Sequence, residues 1–403
     1  MEGQWLSELH VENFRSLREV TLPLGPVNVL VGPNGAGKTN VLRVFDFLAD
    51  IVRTDLGPAL DDRGGLGELL FRGGDERAER LLIGLRGAWT SVGDDRSDSY
   101  TLIIQSDPQE RDEIFDLGLP GGRRRRIWVD DKSAVTVEYD KADEPLAALP
   151  GTGYAGLRVG LNTSSSGLST LPRLSEEFGG REVAKLADFL TEFRIFDVDV
   201  TRACVPSRVP RGGYEPIAAN ASNLAGFLLG LRTSDEDAWE RLQADAVEVL
   251  PQLEALDFEY PSGGAHSVVV VLRERGLRGP TPLLDASYGT IRLLGLLAML
   301  YDPAPPALTC VEEIDHGLHP QALELLMERV REASAATQFI IATHSPALAN
   351  RLRPEEIVIC ERGDDGSSLI PAVSTAKVEK IVRASEGLPL GELWFSGALG
   401  GDL

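Results

Sequence analysis

Eight residues, Gly32-Pro33-Asn34-Gly35-Ala36-Gly37-Lys38-Thr39, carry the clearest chemical signal in the chain. They fit G-x-x-x-x-G-K-[ST], the spacing of a loop that cradles phosphate. Glycine lets the backbone curl so that several N–H groups aim at one anion. Asn34, Gly35, Ala36 and Gly37 form that cradle, and a helix starting just after it adds the positive end of its dipole. Lys38 is expected to reach the β- and γ-phosphates of ATP, and Thr39 to hold Mg2+ through its hydroxyl.

Three further segments bring polar groups to an apolar core. Thr309-Cys310-Val311-Glu312-Glu313 is a strand that ends on two carboxylates. Alternation along an extended strand sends the two side chains in different directions. That suits two tasks: Glu312 for magnesium through its water shell, and Glu313 to orient or deprotonate an attacking water. His344 follows the buried run Ile340-Ile341-Ala342 and is placed to sense a γ-phosphate or steady that water. Ser287-Tyr288-Gly289-Thr290 opens a helix. Ser287 caps it, Gly289 permits close approach, and the exposed N–H groups make a second phosphate-binding surface. One nucleotide already has its cradle, so this second surface fits the γ-phosphate held by another copy, with ATP joining a two-fold homodimer. His316 and His319 lie near Glu313 in sequence, without the further ligands of a closed zinc site.

The elements that must position these groups follow from hydrophobic period and punctuation. Val27–Val31 reads as a short buried strand, and 40–49 as a helix with Val41, Leu42, Val44, Phe45 and Leu48 on its apolar face. Residues 5–12 read as an edge strand, Asn13-Phe14-Arg15-Ser16 as a turn and 20–24 as a strand. Most of 54–74 reads as loop, with a helical turn near Leu66. Strands at 80–86, 100–105, 126–129 and 135–139 predict an antiparallel sheet beside the nucleotide core. The run Arg123 to Arg126 reads as a solvated turn between strands in preference to a nucleic-acid contact. Residues 143–172 have little hydrophobic pattern and read as partly mobile. Helices are expected at 182–193, 219–232 (capped by Ser222) and 235–249, with paired strands at 256–260 and 267–272. An apolar helix within 283–300, core strands at 307–311, 338–342 and 357–360, and helices at 318–332 and 377–385 complete the chain.

The 403 residues allow one large domain or two to three smaller ones. A formal net charge of -22 excludes a uniformly basic nucleic-acid surface while leaving room for a local patch. Cys204, Cys310 and Cys360 are too widely spaced for a metal motif or disulfide framework. No secretion signal or membrane-spanning run is evident, and a cytoplasmic location is expected.

Taken together, these motifs resemble the ABC-type ATPase heads of the SMC, RecF and OLD group. Val11 to Ser16 looks like that group's opening strand and turn, and Gly32 to Asn40 like its Walker A motif. Ser287 to Arg292 resembles the ABC signature, Val311-Glu312-Glu313 and Gly317 to Pro320 resemble Walker B and the D-loop, and Thr343-His344-Ser345-Pro346 resembles the H-switch. Tyr288 stands where a small or acidic residue is usual, and Glu312 replaces the usual Walker B aspartate. The resemblance implies an α/β P-loop fold of ABC-ATPase type with an attached antiparallel β region and a helical lobe. It places the halves of the ATPase core at 1–74 and 256–403, with the β region and helical insertion at 75–255. It implies ATP and Mg2+ as cofactors, adds Asn40 to the nucleotide-binding set, and points to Gln105 as a Q-loop metal contact. It further implies a stand-alone ATPase without long coiled-coil arms or a fused nuclease. Such relatives act in DNA repair or in defence against phage or foreign DNA, on DNA or beside a separate Toprim or HNH nuclease. The alternatives are a transporter-type ATPase subunit, and a slow ATP-binding scaffold or toxin regulator.

Overall fold

The structure, a computed structural model, describes residues 6–75, 77–90, 97–108, 110–119, 123–130, 135–139, 155–157, 164–173, 179–210, 212–261, 266–385 and 387–400. Strands β1 (Leu6–Phe14), β2 (Leu17–Pro23) and β3 (Val27–Val31) lead into α1 (Lys38–Arg53), α2 (Leu56–Asp61) and α3 (Leu66–Leu69). Six strands follow: β4 (Arg80–Gly87), β5 (Asp98–Gln105), β6 (Arg111–Leu119), β7 (Arg123–Val129), β8 (Val135–Tyr139) and β9 (Ala155–Leu157). Next come α4 (Gly167–Thr170), α5 (Gly180–Glu192), β10 (Arg194–Phe196), α6 (Val200–Ala203), β11 (Ser207–Arg208), α7 (Leu224–Ser234) and α8 (Glu236–Val249). The chain continues through β12 (Leu253–Glu259), β13 (Ser267–Glu274), β14 (Thr281–Pro282), α9 (Tyr288–Leu300), β15 (Leu308–Glu312), α10 (Pro320–Ala333) and β16 (Gln338–Thr343). Helix α11 (Pro346–Ala349), strands β17 (Ile357–Ile359), β18 (Glu361–Arg362) and β19 (Ser368–Leu369), and helices α12 (Thr375–Ala384) and α13 (Leu390–Phe395) close it.

The site rests on a five-stranded parallel sheet of order β10-β15-β16-β3-β17. A parallel sheet covered on both faces needs apolar residues at successive positions, and all five residues of β3 are buried. Leu30 faces a core shared with α1, while Val27, Val29 and Val31 face a second core with α9 and α10. The polar Asn28 is buried and fully used: it bonds Gly25 through both its amide groups and donates to the Phe339 carbonyl, pinning β3 to β16. On α1, the five expected apolar positions are all buried.

An eight-stranded antiparallel sheet of order β2-β1-β4-β5-β6-β7-β8-β9 lies beside this core. Here β1, expected at an edge, is interior, and β2 takes the edge. Strand β6 was hidden from the hydrophobic pattern because its buried face carries Arg111 and Glu113. Glu113 accepts from Arg111 Nη1 (3.2 Å), Tyr100 OH (3.0 Å), Ser166 Oγ (2.9 Å) and Gly167 N (2.7 Å), so the charge is compensated and α4 is tied to the sheet. The arginine run forms β7 itself, where Arg124 and Arg126 pair with Asp116 and Arg125 with Glu182. Pairing with carboxylates takes these three out of contention as free phosphate contacts. The stretch 143–172 falls largely outside the described residues.

Helices α7 and α8 pack with a four-stranded sheet made by β11 to β14. Helix α7 starts at Leu224 with Asn223, not the expected Ser222, in the cap position, just after Ala221 turns the chain through a left-handed φ of 58°. Among the described residues no helix is long and apolar enough to cross a membrane.

Candidate nucleotide-binding site

The loop between β3 and α1 bends through left-handed conformations at Gly35 and Gly37, with φ of 82° and 96°. At Gly37 space as well as conformation demands glycine. A Cβ there would lie 2.0 Å from Ser368 Oγ and 2.8 Å from Ser16 Oγ. Beneath the loop, Ala36 is fully buried. Above it lies a cavity of about 290 Å³, lined from the loop by Asn34, Gly35, Gly37, Lys38, Thr39 and Asn40. Glu312 and Glu313 line it from the end of β15.

Lys38 Nζ donates to the carbonyls of Gly32 (2.7 Å) and Pro33 (2.9 Å). Burial lowers its pKa, against the opposing pull of Cys360, Glu313 and Asp315. Asn40 turns away toward the chain's opening turn, donating to Ser16 Oγ at 2.7 Å.

The two carboxylates part because the backbone leaves the strand between them. Glu313 sits at a left-handed φ of 47° while its N–H still bonds Ala342 O at 2.8 Å. Glu312 Oε1 is buried with no hydrogen-bond partner. Such an orphaned oxygen is costly unless a cation or proton donor meets it. It shares the cavity with the Thr39 hydroxyl, and these hard oxygens suit a divalent cation that keeps water and phosphate among its ligands. Among the described residues no cluster of three or more His, Cys, Asp or Glu forms a metal cage. His344 Nδ1 lies 3.7 Å from one oxygen of Glu313, and His316 Nδ1 lies 3.8 Å from the other.

Three residues outside the expected set join this site. Asp315 accepts from Thr343 Oγ1 at 2.5 Å, fixing the turn after β15 against the end of β16. Arg292 reaches from α9 to the carbonyls of Glu312 (3.1 Å) and Glu313 (2.8 Å). Arg362 lines the cavity from β18. Arg292 stands inside the signature-like motif Ser287 to Arg292, and Asp315 falls between the two quoted segments Val311–Glu313 and Gly317–Pro320; no local signal marked Arg362.

Two expected groups stay apart from the cavity. Ser287 caps α9, accepting from Thr290 N at 3.1 Å, and is exposed. A Cβ on Gly289 would lie 2.6 Å from the Gly317 carbonyl, so its close neighbour in this protomer is backbone. Neither residue lines the cavity. Gln105 does not reach it either. It ends β5, exposed, in register with Arg80 in the antiparallel sheet, whereas the phosphate loop follows a strand of the parallel one.

A domain family described as "AAA ATPase domain" matches residues 5–61, and one described as "AAA domain, putative AbiEii toxin, Type IV TA system" matches residues 214–350. The OLD nuclease of Thermus scotoductus is 51% identical over 55 residues, 14% of this chain and 10% of that protein. The DNA replication and repair protein RecF of Renibacterium salmoninarum is 27% identical over 251 residues, 55% of this chain and 60% of that protein. RecF of Paenarthrobacter aurescens is 48% identical over 84 residues, 20% of each. The chain thus matches less than two thirds of the length of each of these relatives. A solved SMC head bound to the C-winged helix domain of ScpA shares the fold at a TM-score of 0.53 and 14% identity, covering 91% of this chain and 96% of that one. One family match holds the phosphate loop and the other holds the carboxylate strand and His344, and on that ground the chain carries a nucleotide-binding AAA-type ATPase domain with sequence similarity to RecF and OLD nuclease, folded as an SMC head is.

Proposed function

We infer that the chain binds ATP with magnesium and hydrolyses it to ADP and phosphate as a switch between open and closed homodimers. The observation that carries this is Glu313, set on the cavity wall beyond the end of its strand with His344 Nδ1 at 3.7 Å. In this reading Lys38 exchanges the Gly32 and Pro33 carbonyls for phosphate oxygens, and the loop N–H groups hold the rest of the anion. Thr39 and Glu312 hold the cation, which neutralises charge on the β- and γ-phosphates when bound. Glu313 orients and deprotonates the attacking water, and His344 steadies Glu313 and the γ-phosphate. Ser287, exposed, and Gly289, half-buried, stand at the start of α9 outside their own protomer's cavity and are available to a nucleotide held by a second copy.

Residues 1–74 and 256–403 are read as two halves of the ATPase core, with 75–255 carrying the β region and helical lobe and lending β10 to the core sheet. The names of the relatives, a DNA replication and repair protein and a nuclease, support an output on DNA or through a separate nuclease. The toxin in one family description supports a second reading, a slow ATP-dependent regulator.

The test is the solution mass and turnover of Glu313→Gln. With ATP and magnesium its mass is expected to double while turnover falls by roughly 10²–10⁴. Unchanged mass with ATP bound removes the closing dimer, and near-normal turnover removes Glu313 from its role. Wild-type turnover far below about 10 s⁻¹, unaltered by DNA, favours the regulator.

A further inference from the structure

Among the described residues two cations line the cavity, Lys38 and Arg362. Arg362 Nη1 donates to the Gly35 carbonyl at 3.0 Å, at the outer turn of the phosphate loop. The side chain is exposed, and most of its N–H donors are unused. No carboxylate pairs with it among the described residues. In a chain with 62 acidic and 40 basic residues, Arg18, Arg63 and Arg80 by contrast each have a carboxylate partner.

The backbone under Arg362 is held firmly. Opposite it in the β18–β19 register stands Ser368, whose N–H donates to Ser16 O at 2.7 Å. The Ser368 hydroxyl lies 2.7 Å from Ser16 Oγ, the same oxygen that accepts from Asn40 on α1. Near the hairpin turn, Arg18 pairs with Asp365 at 2.8 Å. The hairpin is thereby fixed to β2 and to the helix that follows the phosphate loop, while the Arg362 side chain itself is exposed.

Topology sets the direction of approach. Strand β3 has β16 and β15 on one side, leading to His344 and Glu312–Glu313, and β17 on the other, leading to β18. The carboxylates reach the loop from one flank and Arg362 from the opposite one. Without Arg362 the charged side chains of the lining sum to a net negative wall; with it they balance, before any metal is bound. A guanidinium matches phosphate oxygens in paired, charge-assisted bonds.

We propose that Arg362 is a nucleotide-binding residue that leaves the Gly35 carbonyl and grips the polyphosphate of ATP from the β17 flank. This rests on the reading of the loop as an ATP site. Calorimetric affinities for ATP, ADP and AMP, with magnesium, test it on wild type, Arg362→Ala, Arg362→Lys and Lys38→Ala. Arg362→Ala is expected to bind ATP about tenfold more weakly or worse. The loss shrinks through ADP to AMP, and Arg362→Lys recovers part of it. ATP affinity within about twofold of wild type overturns the assignment. So does an equal loss for all three ligands, which puts Arg362 on the nucleoside. A Lys38→Ala variant that binds ATP as wild type does overturns the loop reading instead, and the Arg362 assignment falls with it. Equal thermal midpoints for the nucleotide-free proteins check that folding is unchanged.

Discussion

Arg292 donates to the carbonyl oxygen of Glu313 at 2.8 Å. The arginine is buried on α9, the glutamate stands just beyond the end of β15 at a left-handed φ, and one guanidinium nitrogen also holds the Glu312 carbonyl. The helix that begins at Ser287 is therefore tied directly to the backbone that aims the two carboxylates. Arg292→Ala is expected to lower kcat about tenfold or more while leaving ATP affinity nearly unchanged. It should also cost about 1–3 kcal/mol of stability through the unpaired carbonyls. Steady-state kinetics with urea titration checks this; an unchanged kcat in a folded variant removes the anchoring role.

Gly37→Ala introduces a Cβ where Ser368 Oγ lies 2.0 Å away, at a φ of 96°. The backbone strain alone costs about 1–3 kcal/mol. ATP binding is expected to be lost. Adding Ser368→Ala removes the closest contact but leaves Ser16 Oγ at 2.8 Å and the backbone strain, so the double variant should regain part of the stability without regaining wild-type affinity. Full recovery of affinity would show that conformation at this glycine is not limiting.

Glu113 is the fully buried acceptor for Arg111, Tyr100, Ser166 and Gly167. Removing one partner of a buried pair leaves the other charge uncompensated, and Arg111 Nε and Nη2 already lack partners. Glu113→Ala is expected to destabilise the protein by about 3–5 kcal/mol. Replacing Arg111 and Glu113 together by apolar residues should cost less than the single change. A denaturant midpoint unmoved by Glu113→Ala contradicts this account of the antiparallel sheet.

Burial lowers the pKa of Lys38 below the ordinary 10.5 in the nucleotide-free protein. A bound polyphosphate favours the charged form and raises it again. Below the nucleotide-free value Lys38 is charged in both states, and affinity does not depend on it. Between that value and the higher value of the complex, binding takes up a proton, so affinity falls as pH rises. Calorimetry in buffers of different ionisation enthalpy should show proton uptake growing as pH rises through the alkaline range below the ordinary lysine value. Uptake that stays flat would mean the phosphate does not face Lys38.

What the sequence made legible is what local spacing encodes. Val27–Val31, the phosphate loop and the apolar face of α1 lie where their residues indicate, since strand, turn and helix there are contiguous. The Glu312–Glu313 ending is readable for the same reason. Strand β6 was not, because inward-facing Arg111 and Glu113 break the alternation that marks a half-buried strand. The inner place of β1 depends on pairing with β4, some seventy residues on, which no window across β1 contains. Gln105 ends a genuine strand, yet in the other sheet; the residues of β5 carry no mark of which sheet they join. Arg362 meets Gly35 through a contact between positions 327 residues apart.

The order of the parallel sheet has a consequence for how the chain is made. Strand β3 leaves the ribosome early, but its neighbours are β16 and β17, so Val27 waits for Phe339 and Val29 for Ile357. At ordinary synthesis rates that wait is roughly 15–60 s. During it, Val-Asn-Val-Leu-Val is an unpaired strand with apolar side chains on both faces, which is what holdase chaperones bind and what aggregates when they do not. The β1–β2 hairpin can close meanwhile, but the loop that follows β3 has neither Ser368 above it nor Cys360 beside it. ATP therefore cannot nucleate folding of the nascent chain. It can only stabilise the finished protein, and a truncation before β16 should behave as a chaperone client whatever nucleotide is supplied.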